Sequence, residues 1–312
     1  MRHWNRRQFL GWGGKAGLIG ICSGPLWTAL LAGCKTTEII AGMGQSVGVL
    51  DERQAQSVIR AGGAVARSFE DITPEQEYYI GRTVGAVILS KYTPYQNDEA
   101  NRYVNMVGTL AGLASDRPET FGGYHFLILD SEEINAFAAP GGLIFVTRGM
   151  LRCCGSEDAV AAVLAHEVGH VQHQHGLQAI KKSRVTSALT ILAAEGAKTL
   201  GGQELAQLTE VFEESVSDVV STLVANGYSR ASEREADRAA VTVLARLGYD
   251  SAALVDMLEI MGARLTPGGS DFAKTHPSPQ SRIADIRPLL PKTRPAAVAP
   301  RQRRFEQVLR QV

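Results

Sequence analysis

The sequence predicts an α+β fold that is mainly helical, with a small β-sheet next to one central helix. Helical patterning dominates from residue 73 onward. Two short apolar, β-rich runs interrupt it: Tyr124-His125-Phe126-Leu127-Ile128-Leu129 and Leu143-Ile144-Phe145-Val146-Thr147. Between them and the next loop-rich stretch lies His166-Glu167-Val168-Gly169-His170, inside a segment with helix signals at both ends.

The elements follow in chain order. Residues 1–33 read as an export leader. Asn5-Arg6-Arg7-Gln8-Phe9-Leu10 resembles a twin-arginine signal and precedes the mostly apolar stretch Gly17–Ala32. Leu31-Ala32-Gly33-Cys34 matches a bacterial lipobox, which makes Cys34 the lipidated first residue of the mature chain. Gly residues and Pro25 break the apolar run, which argues against a plain membrane anchor. The expected location is the periplasmic side of a bacterial envelope, anchored by lipid, and Lys35 after the cysteine points to the outer membrane. Residues 34–70, Gly-rich over Glu38–Gly63, read as a tether.

A single domain is expected over residues 71–290. Thr73-Pro74-Glu75-Gln76 starts a helix, with Thr as N-cap, Pro at the first position and Gln at the third, and the helix runs to near Tyr92. Pro140-Gly141-Gly142 marks a turn, so the two β-rich runs are expected to form a hairpin. Ser156 is an N-cap followed by Glu157 and Asp158, whose charge suits the helix dipole. Val160, Leu164, Val168 and Val171 give that helix an apolar stripe, and Gly176 offers a C-cap. Pro288, Pro291, Pro295 and Pro300 close the domain, leaving residues 291–312 as a Pro-rich linker and basic tail.

Composition narrows the options. Removing the leader leaves 279 of 312 residues, enough for one substantial core. It also removes Arg2, Arg6, Arg7 and Lys15, four of 32 basic residues against none of 32 acidic ones, so the mature chain carries −4. That mild acidity gives no basis for nucleic-acid binding. Cys22 leaves with the leader and Cys34 takes lipid. Cys153-Cys154 remains, with no second pair that would make a metal knuckle.

The chemistry is carried by the five-residue string. Histidines four apart share a helix face, so both imidazoles can reach one ion. Glu167 points about 100° further round, where its carboxylate can serve as general base toward an attacking water. One zinc ion per chain is implied, and a catalytic zinc needs a third protein ligand and an open position. His173 lies roughly 10 Å along the axis from His166, too far for a straight helix to bring it to the same ion. His175 points elsewhere on the same reasoning. Glu195 is a possible third ligand in an Ala-rich stretch. Ser229-Arg230-Ala231-Ser232-Glu233-Arg234-Glu235-Ala236-Asp237 is a better one, because Glu233 and Asp237 share a face. In that arrangement Glu233 could ligate the metal while Asp237 accepts a ring N–H from a ligand histidine, the other reading being an ordinary solvated charge run at a helix start.

These residues occur within a longer series of matching segments. The others are Glu75-Gln76-Glu77, Tyr103-Val104-Asn105-Met106-Val107-Gly108, Asn135-Ala136-Phe137-Ala138-Ala139-Pro140-Gly141-Gly142, and Thr275-His276-Pro277-Ser278 with Arg282. In this order, over roughly Thr73–Leu290, the chain resembles the zinc metalloendopeptidase family of the HtpX, CAAX-prenyl-protease, Oma and BepA types. The resemblance implies a gluzincin-type metalloprotease domain, and it selects Glu233 over Glu235 as the third ligand. It favours the periplasmic lipoprotein branch, with misfolded or mistargeted envelope proteins as substrates. An unfolded substrate is expected to bind as an extended strand near Asn135–Gly142. His276 is expected close to the metal, either stabilising the oxyanion or filling the open zinc position to hold the enzyme latent. A zinc-containing chaperone or assembly factor with little proteolysis stands as the alternative function.

Overall fold

Side-chain caps set where the helices begin. In the computed structural model, which describes residues 72–180, 227–265, 276–309 and 312, helix α1 is Pro74–Lys91. Thr73 accepts from the Gln76 N–H while the Gln76 side chain accepts from the Thr73 N–H, a complete capping box with Pro74 at the first position. Asn97 caps α2 (Asp98–Ala114), Ser156 caps α4 (Glu157–Gln172), Ser229 caps α5 (Arg230–Arg246) and Ser278 caps α7 (Pro279–Ile286). Three further helices are the short α3 (Arg148–Leu151), α6 (Ala253–Arg264) and α8 (Ala299–Leu309). The twin-arginine leader, Cys34, the tether, Glu195 and Thr275 lie outside the described residues.

The sheet corrects the expected hairpin. Strands β1 (His125–Leu129) and β3 (Leu143–Thr147) run parallel, with His125 opposite Leu143 and Leu129 opposite Thr147. A third strand, β2 (Ala136–Ala139), pairs antiparallel with β3, giving the order β1-β3-β2. The Pro140–Gly142 turn therefore joins β2 to β3 rather than the two β-rich runs to each other. Ala-Phe-Ala-Ala carries little β-propensity of its own; its partner strand and burial on both faces make it a strand. Gly141 (φ 76°) and Gly142 (φ 103°) adopt the left-handed backbone that makes this turn possible.

Side chains alternate across the sheet. Phe126, Ile128, Ala136, Ala138, Ile144 and Val146 face a core shared with α2 and α4, while Leu129, Phe137, Ala139 and Phe145 face Val84 and Ile88 of α1. Glu77 of α1 is buried and accepts both Arg117 guanidinium N–H groups and the Gly141 N–H. Arg117 also donates to the Val171 carbonyl, so one ion pair links α1, the turn and the end of α4. Asn105 and Asn101 of α2 hydrogen-bond the Phe126 and Ile128 backbone, occupying the outer edge of β1 as a neighbouring strand would.

Two further expectations change. Helix α4 ends at Gln172 rather than at Gly176, because Gln174 takes φ 54° and a new helical turn covers 175–180. Residues after Pro291 do not trail away as a linker. Arg304 of α8 holds the buried Glu157 bidentately, Arg301 lies over the Tyr249 ring, and Leu309 and Val312 are buried in the main core. No helix among the described residues is long and apolar enough to cross a membrane.

Helix α4 is buried on nearly every side, and α5 crosses it at Gly169, where an added Cβ would stand 3.0 Å from both Cα and O of Ala236. Gly169→Ala should therefore cost about 1–3 kcal/mol, the usual penalty for overpacking a rigid core contact. Chemical denaturation measures it, and stability equal to the parent would show that α5 is free to shift.

Candidate metal centre

The crossing of α4 and α5 puts two histidines of one helix against a carboxylate of the other. His166, His170, Glu233 and His276 each offer one ligand atom, all within 4.8 Å of one another, and all four residues are buried. His166 Nε2 lies 3.1 Å from His170 Nε2. Glu233 approaches both, with Oε2 3.6 Å from His166 Nε2 and Oε1 3.4 Å from His170 Nε2. His276, carried on the segment leading into α7, places Nδ1 2.7 Å from Glu233 Oε2. The fit to a cation is tested by Glu233 Oε1, a buried carboxylate oxygen without a hydrogen-bond partner among the described residues. His166 Nε2, His170 Nε2 and the Glu233 carboxylate face one another around one buried point, the kind of nitrogen and oxygen donor set zinc takes.

The far side of His166 is braced by charge. Its Nδ1 lies 3.0 Å from Asp237 Oδ1, and Arg282 donates to both Asp237 oxygens. All three are buried. Asp237 thus lies against His166, and Arg282 neutralises Asp237 in turn. Glu167 lines a cavity of about 30 Å³ together with Ala136, Phe137, Ala138, Tyr228 and His276.

Burial and neighbours divide the carboxylates. Desolvation would raise Glu233, but the surrounding His276, His166 and His170 hold its carboxyl well below the usual range. Asp237 is likewise lowered against its burial, through Arg282 and His166. Glu167 moves the other way: burial raises it, and the nearby cations offset only part of that. Burial and Arg282 push His166 down, yet Asp237 and Glu233 outweigh them and raise it to about 9. Burial dominates at His170, which falls to about 3.

Of the other sequence candidates, His173 caps the end of α4 and takes no part in the cluster. His175 does not point elsewhere. The break at Gln174 turns it back, so its Nδ1 sits 2.9 Å from His170 Nδ1 while its Nε2 meets Glu235. Tyr228 was also missed. Its ring stacks on His170 at 4.3 Å, and its hydroxyl donates to the Ala138 carbonyl on β2. Neither could be found from helical spacing, because one depends on a break in the helix and the other lies 58 residues beyond His170 in the chain.

Comparison with known proteins follows the same residues. The description "Peptidase family M48" matches residues 98–289, a span that contains His166, Glu167, His170, Glu233, Asp237 and His276. The chain is 30% identical over 229 residues to the beta-barrel assembly-enhancing protease of Escherichia coli (strain K12), covering 71% of this chain and 44% of that one. It is 28% identical over 192 residues to the protein of the same name from Yersinia pestis, covering 60% and 38%. It is 34% identical over 160 residues to the mitochondrial metalloendopeptidase OMA1 of Schizosaccharomyces pombe, covering 51% and 44%. The chain thus spans less than half the length of these relatives.

The raised His166 yields a pH test. In the metal-free protein Nε2 carries a proton below about 9, and a divalent metal must displace that proton to bind there. Affinity should therefore rise with pH, about tenfold per unit between pH 6 and 8, and level off near pH 9. Chelator-competition titrations across that range measure the slope, and a flat profile would remove His166 Nε2 from the ligand set.

Proposed function

This chain belongs to peptidase family M48, and we propose that it is a zinc-dependent endopeptidase with His166, His170 and Glu233 as metal ligands. The convergence of those three on one buried point, beside a glutamate of raised proton affinity, carries the reading. Zinc bound there supplies a Lewis acid that polarises the scissile carbonyl and brings a water's pKa near neutrality. The chain's own residues do the rest. Glu167 takes a proton from the attacking water and returns it to the departing amine. Asp237, itself held by Arg282, accepts the His166 Nδ1–H and keeps Nε2 as the donor atom.

The substrate is proposed to lie as an extended strand along β2. Asparagines of α2 occupy the β1 edge, whereas Ala136, Phe137 and Ala138 of β2 share the small cavity with Glu167. Pairing there requires the Tyr228 hydroxyl to leave the Ala138 carbonyl. The leader-like residues 1–33 and Cys34 support an enzyme anchored by lipid on the periplasmic face of the outer membrane. Misfolded or mistargeted envelope proteins are the proposed substrates; the name of the Escherichia coli relative, beta-barrel assembly-enhancing protease, favours a link to β-barrel assembly.

We assign His276 to the fourth zinc position, where its imidazole excludes water and holds the enzyme latent. Its place within the four-residue cluster favours this over the oxyanion role.

Glu167→Gln should keep one zinc per chain and cut casein hydrolysis by about 10²–10⁴-fold, the usual worth of a general base. Unchanged hydrolysis would end the mechanism, and an envelope function that persists in this variant would move the protein to the assembly-factor reading. His276→Ala, at equal zinc content, should cleave casein faster than the parent. Turnover slower by about 10²–10³-fold would return His276 to the oxyanion.

A further inference from the structure

His175 and Glu235 take no part in the mechanism above, yet they form a continuous contact with it. The His175 ring is buried, and its nitrogens meet two different partners: Nδ1 lies 2.9 Å from His170 Nδ1, and Nε2 lies 2.9 Å from Glu235 Oε2. The hydrogens on this chain follow from donor and acceptor chemistry. A carboxylate accepts only, so His175 Nε2 carries N–H and, in the neutral ring, His175 Nδ1 carries a lone pair. That lone pair requires a donor, so the hydrogen of His170 sits on its Nδ1. His170 Nε2 is then the lone-pair nitrogen, and it is the atom 3.4 Å from Glu233 Oε1.

We propose that His175 and Glu235 are positioning residues for His170: together they fix its tautomer and ring rotation and thereby strengthen zinc binding. The proposal rests on the zinc-site reading. Histidine ligands commonly donate their second N–H to a fixed acceptor, which fixes the tautomer and raises ligand basicity. Here the acceptor is a second histidine, delivered by the helix break at Gln174 and oriented by a carboxylate from α5. The two ligand histidines are thus held differently. His166 is held within the core by Asp237 and Arg282, each almost wholly buried. His170 is held through His175 to Glu235, whose side chain is 52% exposed. Both helix partners contribute, since α5 carries the metal ligand Glu233 and, two residues on, the anchor of the relay.

The test is zinc affinity of the full chain, measured by competition with a chromogenic chelator. His175→Phe keeps the ring's bulk and removes both hydrogen bonds, so zinc should bind about 10–100-fold more weakly. His175→Gln should stay within about threefold of the parent, because its amide oxygen can accept from His170 and its NH₂ can donate to Glu235. Glu235→Ala should weaken zinc binding by about three- to tenfold, the low end of such effects. It sits at the surface, so it carries the test alone if circular dichroism shows that His175→Phe does not fold. Affinities for His175→Phe and Glu235→Ala within twofold of the parent would overturn the relay, as would a glutamine variant as weak as the phenylalanine one. His170→Ala is the control on the premise. If it binds zinc like the parent, or if the parent binds no zinc, the zinc-site reading falls and the relay with it.

Discussion

The contact between α4 and α5 at Gly169 is the constraint from which the site follows. With only a hydrogen on Gly169, the backbone of Ala236 can approach to a distance that a methyl group would fill. At that separation Glu233 reaches the two histidines flanking Gly169 on one side, while Asp237, one turn on, reaches the back of His166. The glycine inside the His-Glu-Val-Gly-His string therefore acts as a spacing element as much as a helix residue. A rigid, close crossing is also what a metal site requires, since ligand atoms must be held to within fractions of an ångström.

Bringing so many ionisable groups into one dry interior is costly unless each is compensated. The compensation is visible pair by pair. Asp237 is matched by Arg282 with two hydrogen bonds, and Glu233 is surrounded by three imidazoles. The exception is Glu167, whose carboxyl is pushed toward the neutral form by burial. Two carboxylates held low and one held high, within one cluster, is the pattern on which the proposed split between ligand and acid–base roles rests. The same logic recurs away from the site, where buried Glu157 at the start of α4 is held by Arg304, Tyr103 and Tyr249. That cluster contains no set of converging metal donors and serves to fasten α8 to the central helix.

In the proposed enzyme the sheet contributes access rather than ligands. Its two outer edges are treated unequally: asparagine side chains of α2 satisfy β1, and β2 runs beside the cavity that Glu167 lines. An unpaired edge invites another strand, and natural sheets cover the edges they do not use. Here the contact with Tyr228 sits over β2 while its ring packs on His170, so one side chain touches both the edge and the histidine cluster.

Much of this was legible in the residues themselves. Capping signals at Thr73 and Ser156 are local, because a side chain two or three positions from an N–H reaches it in any context. The helical spacing of His166 and His170 is local in the same sense, as is the shared face of Glu233 and Asp237. Spacing could also dismiss His173. It could not place His175, since one left-handed residue at Gln174 redirects the chain and cancels the helical geometry on which that judgement relied. Nor could it identify β2, whose alanines become a strand only when β3 supplies the hydrogen bonds and both faces are buried. The sequence by itself determined which side chains can bind a metal and which of them share a helix face, because those depend on 3.6-residue geometry. The tertiary structure alone decided that α4 and α5 cross at Gly169, that β1 and β3 run parallel, and that Arg282, His175 and Tyr228 close around the cluster. Those contacts join residues far apart in the chain, or past a helix break, and their energy comes from packing and mutual desolvation that no local pattern encodes.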